Sequence, residues 1–156
     1  MNSEIKEKYI GLQTRLKERS RMLSCMGDYS CLFLCLCSIA EEWFGDFKKE
    51  GRTLDMAEFA LECRDKGYID DEWTCRTEDI LRLATGAAWR KAEVKELPAV
   101  VPDEMYTVEK WYNPRTGYTH FRRRWGDTVR DSVTVREGRL AGYYTFTCLE
   151  LEAKAA

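Results

Sequence analysis

The feature that most constrains the fold is a change of texture at Gly86. Before it, apolar residues recur at spacings of three and four; after it, they alternate with polar ones. The first pattern lines one face of a helix, the second one face of a strand. Helices followed by a run of hairpins imply an α+β fold, with N-terminal helices packed on a C-terminal antiparallel sheet. The chain has 156 residues, 44% of them apolar, which suits a single domain with a real core. We therefore read 1–156 as one domain, with a helical part at 1–86 and a sheet part at 87–150.

Within the helical part, Ile5, Tyr9, Leu12 and Leu16 predict a helix over 4–23. Gly27-Asp28-Tyr29-Ser30 should break it, with Ser30 as the N-cap of a second helix that stops at Gly45. Thr53 is the expected cap of a third helix ending at Gly67, and Thr77 and Gly86 bracket a fourth. Strands are predicted over 88–94, 105–112, 118–125, 128–135 and 139–149, with turns at 113–117, Gly126-Asp127 and Glu137-Gly138.

Seven cysteines stand against a single histidine. An odd, irregular set is not a complete disulfide framework, and free thiols suit a reducing compartment, so the chain is expected to be cytoplasmic. The apolar run 31–40 is broken only by Ser38. It is short of the roughly 20 residues that span a bilayer, and it lies too far from Met1 for a signal peptide. One histidine excludes a Cys2His2 or multi-histidine metal site. Cys25, Cys31, Cys35 and Cys37 cluster but form no CxxC pair, so neither metal nor cofactor is expected.

Cys31 falls one residue after the expected N-cap, where free N–H groups and the helix dipole favour a thiolate. The same N–H groups suit an oxyanion forming beside the sulfur. Cys35 and Cys37 lie deeper in the apolar helix and read as core. His120 is the only side chain that titrates near neutrality without perturbation. A two-residue turn at Gly126-Asp127 pairs Trp125 with Thr128, Arg124 with Val129, Arg122 with Asp131 and His120 with Val133. Asp131 is then diagonal to His120 on one face and able to orient its ring. Asp127 is the rival, and a register shift of one residue would move Asp131 to the other face.

Ser30-Cys31-Leu32-Phe33-Leu34-Cys35, closing at Ala40-Glu41, resembles the nucleophile helix of papain-like cysteine peptidases, and Thr119-His120-Phe121 resembles their histidine strand. The layout is also similar to an uncharacterised bacterial and phage domain family with a Cys helix and a Thr-His-Phe strand. Gly67-Tyr68-Ile69, Thr85-Gly86 and the stretch from Asp131 to Gly138 add to that likeness. The resemblance implies a papain-like layout and a thiol hydrolase, of cysteine peptidase or amidase type, with a Cys31–His120–Asp131 triad. The sequence departs from the papain-like pattern in having Cys25 where a Gln donates to the oxyanion hole, with Gln13 farther back. It departs again in the charged run Arg122-Arg123-Arg124 after the histidine and in a short His-to-Asp spacing.

The competing expectation is a catalytically silent papain-like fold that binds protein or nucleic acid, such as a phage-type inhibitor. Residues 41–80 hold thirteen acids and six bases, whereas residues 110–139 hold eight bases and three acids. Arg122, Arg123, Arg124, Arg130, Arg136 and Arg139 lie among Trp111, Tyr112, Tyr118 and Trp125, a mixture suited to phosphates and bases. Alternation splits Arg123 from Arg122 and Arg124, and the pI near 5.6 counts against general nucleic-acid binding. A solvated hairpin face, or pairing with the acidic helices, accounts for the same residues. The expected partner is thus a peptide or other acyl substrate, or a protein, with nucleic acid less favoured and no membrane.

Overall fold

A computed structural model of the chain describes residues 10–48, 51, 53–125, 128–130 and 138–150. Four α-helices come first: α1 (Leu12–Tyr29), α2 (Cys31–Trp43), α3 (Met56–Asp65) and α4 (Thr77–Thr85). A π-turn, Phe44–Lys48, continues α2. The strands β1 (Trp89–Val94), β2 (Met105–Tyr112), β3 (Thr119–Trp125), β4 (Thr128–Arg130) and β5 (Arg139–Cys148) follow. They form one antiparallel sheet in the order β1-β5-β2-β3-β4, so the last strand is inserted between the first two. The architecture is α+β, with the helices packed against the sheet.

The helix boundaries correct several expectations. Gly27 does not break α1, which continues to Tyr29; the break is Ser30 alone, at φ −97° and ψ 17°. Ser30 holds the N-cap position of α2 but makes no side-chain cap bond. Its carbonyl instead accepts the Leu34 N–H at 2.8 Å, and the residue itself is buried. Gly45 does not stop the next helix either. The chain widens there into the π-turn, and the Phe44 N–H is shared between the Ala40 and Glu41 carbonyls. The cap of α3 is Asp55 rather than Thr53, because its carboxylate accepts the Glu58 N–H at 3.2 Å. At the other end Gly67 adopts φ 77°, so that the Gly67 and Tyr68 N–H groups reach the Arg64 and Cys63 carbonyls, at 2.9 and 2.8 Å. Thr77 is the first residue of α4 rather than its cap, which is Arg76.

Within the described residues the strands lie close to their expected places, and β2 has the expected bounds; residues 131–135 of the fourth expected strand and Glu137 of the following turn lie outside the described residues. Asn113 builds the turn into β3: its Oδ1 accepts the Arg115 N–H at 2.9 Å and its carbonyl accepts the Gly117 N–H at 2.8 Å. Gly117, at φ 75°, takes a left-handed conformation that a side chain would strain. This turn sets the register Tyr112↔Thr119 and Trp111↔His120. The next hairpin pairs Trp125 with Thr128 and Arg124 with Val129, as the two-residue turn requires.

The core lies between α2 and one face of the sheet. Phe33, Leu36, Cys37 and Ile39 of α2 meet Ile80 and Leu81 of α4 and Val108 and Phe146 of the sheet, all of them fully buried. Phe33 stacks on Phe59 and meets the edge of Trp73, each with centroids 5.7 Å apart. α1 joins this core through the buried Met22, and Arg19 ties it to the α3 region, bonding Asp55 and Glu58 at 2.8 and 2.7 Å. Among the described residues no helix is long and apolar enough to cross a membrane.

Candidate active site

The first turn of α2 and the start of β3 come together because α2 packs directly on β3. Cys31 is the first residue of α2, half-buried, and His120 is the second residue of β3, also half-buried. Burial pushes the Cys31 thiol up. Hydrogen bonds to the ionised sulfur from His120 and from the Phe121 and Leu32 backbone N–H groups, with the charge of His120, outweigh it, so the thiol titrates below its ordinary value.

The Phe121 N–H bond carries geometric information. It places the sulfur against the backbone of β3 and not only against the His120 ring. Among the described residues β4 ends at Arg130, opposite Arg123. The Cys31 sulfur sits beside the β3 backbone at Phe121, next to His120.

Asp131, the expected third member, and its rival Asp127 lie outside the described residues. Gln13 lies exposed on α1. Cys37, Cys63 and Cys75 divide sharply from Cys31. Burial, then the charges of Cys63, Glu41, Cys75 and Cys35, pushes the Cys37 thiol far up. Burial is also the main reason that Cys63 and Cys75 rise to about 12. Cys75 additionally feels Cys31, and its thiol donates to the Trp73 carbonyl at 3.4 Å. Cys31, Cys35, Cys37, Cys63, Cys75 and Cys148 are free, and among the described residues no cluster of His, Cys, Asp or Glu is arranged to hold a metal ion.

The arginine run resolves into two separate arrangements. Arg122 and Arg124 lie on the face of the sheet away from the helices, where each donates to Glu109 at 2.9 Å. The Trp111 indole donates to the same carboxylate at 2.8 Å, and Arg122 stacks over the Trp111 ring at 4.2 Å. Glu109 is 3% exposed, yet these donors hold its carboxyl below the ordinary carboxylate range. Arg123 points the other way and is 4% exposed. It bonds Glu42 of α2, and its second Nη donates to the Thr107 carbonyl at 2.8 Å. Guanidinium groups already paired with carboxylates offer little net charge to a phosphate backbone.

Glu42 and Glu109 were not singled out in the sequence, though alternation gave a signal for one of them. It puts Arg123 on the core face of β3, where a guanidinium requires an acidic partner. Comparison with known protein families, curated proteins and solved structures finds no match.

Proposed function

We propose that this protein is a thiol hydrolase of papain-like layout, acting on an amide or related acyl bond. The observation that supports the reading is the Cys31 thiol, which titrates low at a helix N-terminus beside the only histidine of the chain. Cys31 Sγ attacks the carbonyl carbon, and the carbonyl electron pair moves to oxygen. The Cys31 backbone N–H, at the open end of α2, donates to that oxyanion. As the carbonyl reforms, the bond to the leaving group breaks and His120 supplies its proton. Water then attacks the thioester, His120 takes a proton from it, and the Cys31 thiolate departs. Asp131 is proposed to orient His120 in both steps.

The test uses p-nitrophenyl acetate as an activated acyl donor, with adducts located by mass spectrometry. The reading predicts an acetyl group on Cys31 that forms and then turns over, absent in Cys31→Ala and slowed in His120→Ala. Acetylation scattered over lysines, with no turnover that depends on Cys31, would contradict it.

A further inference from the structure

The Cys31–His120 contact joins two elements that are remote in sequence and separately mobile unless something fixes them. Backbone pairing fixes β3 to β2. No such ladder joins a helix to a strand, so the separation of sulfur and imidazole depends on side chains between α2 and β3.

The periodicity of α2 identifies which side chains these are. Cys31, Cys35, Ser38 and Glu42 follow the i, i+4, i+7, i+11 pattern and form one stripe along the helix. At the N-terminal end of that stripe Cys31 meets His120 and the Phe121 N–H. At its C-terminal end Glu42 meets Arg123. The stripe between Cys31 and Glu42 rises about 16 Å, at 1.5 Å per residue. From His120 to Arg123 the strand rises only about 10 Å, at 3.3 Å per residue. His120 and Arg123, three positions apart, project from opposite faces of β3, whereas the Phe121 N–H that meets Cys31 belongs to the strand backbone, so the two attachments of α2 are made at different levels of one strand.

Arg123 ties together more than these two elements. One Nη holds Glu42 on α2, the other donates to the Thr107 carbonyl of β2 at 2.8 Å, and the guanidinium lies 5.8 Å from the Tyr106 ring. The planar fork makes both bonds at once, which the point charge of a lysine does not reproduce. Register partner Val108 is fully buried beside it, so the fork has little room to reorient.

We propose that Arg123 and Glu42 are positioning residues: their buried ion pair holds α2 at the height on β3 that brings Cys31 into contact with His120. This rests on the thiol–imidazole reading above but requires no hydrolysis. The ion pair stabilises the fold as well, so a loss of activity alone would not identify the role.

The single histidine supplies a readout that does. The His120 ring protons can be titrated by NMR without ambiguity of assignment, and the coupling is the difference in midpoint between Cys31 and Cys31→Ala backgrounds. Folding of each variant is checked by thermal melting, with spectra taken well below the transition. In the wild-type background the midpoint should move by at least about half a pH unit when Cys31 is removed. In Glu42→Gln, which keeps shape but removes charge, that coupling should fall at least twofold. In Arg123→Lys, which keeps charge but loses the fork, it should also fall. Full coupling in folded Glu42→Gln and Arg123→Lys overturns the positioning role and leaves the Cys31–His120 pair standing. No coupling in the wild type overturns the pair, and the positioning role with it.

Discussion

The first turn of α2 and its middle carry the same residue type with opposite chemistry. Cys31 is half-buried and its thiol is drawn below the ordinary value by an imidazole and two backbone N–H groups. Cys37, six residues on, is fully buried among apolar side chains and neighbouring thiols, and its own thiol is driven far up. Sulfur is the constant, and the donors around it are the variable. A cysteine at a helix start is made reactive by what the adjoining strand brings to it, and a cysteine in the body of the same helix is made inert by the packing that holds the helix in place.

Four substitutions break or sharpen that contrast. The largest effect is expected from Cys31→Ala. Iodoacetamide labelling at pH 7 should lose the fast phase at residue 31, about 100-fold faster than labelling at Cys37 or Cys63, because those buried thiols are reached only through opening motions. Site-resolved mass spectrometry checks this.

Glu109→Gln should separate stability from reactivity. Removing the charge that Arg122, Arg124 and Trp111 share should cost about 2 kcal/mol in urea unfolding at pH 7, while the labelling ratio of Cys31 to Cys37 stays as it is. The pH dependence has a definite sign. The folded carboxyl lies below its unfolded value of about 4.3, so its contribution is fully present above that value. It is lost as pH falls through the folded value. The acid limb of the stability curve should therefore be shallower in the variant.

His120→Ala should raise the labelling midpoint of Cys31 by about one pH unit and slow its reaction at pH 7 about tenfold. Cys37→Ala should have the smallest effect, about 1 kcal/mol of stability for the small void it leaves, with the fast phase unaltered.

Much of the fold is legible in the sequence because it is written in local periodicity. Alternation places β2, and the Gly126-Asp127 turn gives the pairing of Trp125 with Thr128. Cys31 and His120 stand out by their positions, one at a helix start and one as the sole imidazole, before the packing of α2 on β3 brings them together. What local pattern does not carry is the balance at helix ends. Gly27 costs α1 about 1 kcal/mol relative to Ala, which the helix bears on its way to Tyr29. Asp55 outcompetes Thr53 as a cap because its carboxylate also meets Arg19. Partners remote in sequence are the least legible. Glu42 and Arg123 lie 81 positions apart, and only the stacking of helix on sheet joins them.

The central claim is that the Cys31 thiol is set apart from Cys37 and Cys63 by its surroundings. The direct measurement is the iodoacetamide labelling rate of each cysteine in the wild-type protein across pH 5 to 10, resolved by peptide mapping. The account predicts that Cys31 labels first, with a midpoint below that of an unperturbed thiol, while Cys37 and Cys63 label slowly throughout. A Cys31 that labels no faster than Cys63, or one whose midpoint matches a free thiol, would contradict it.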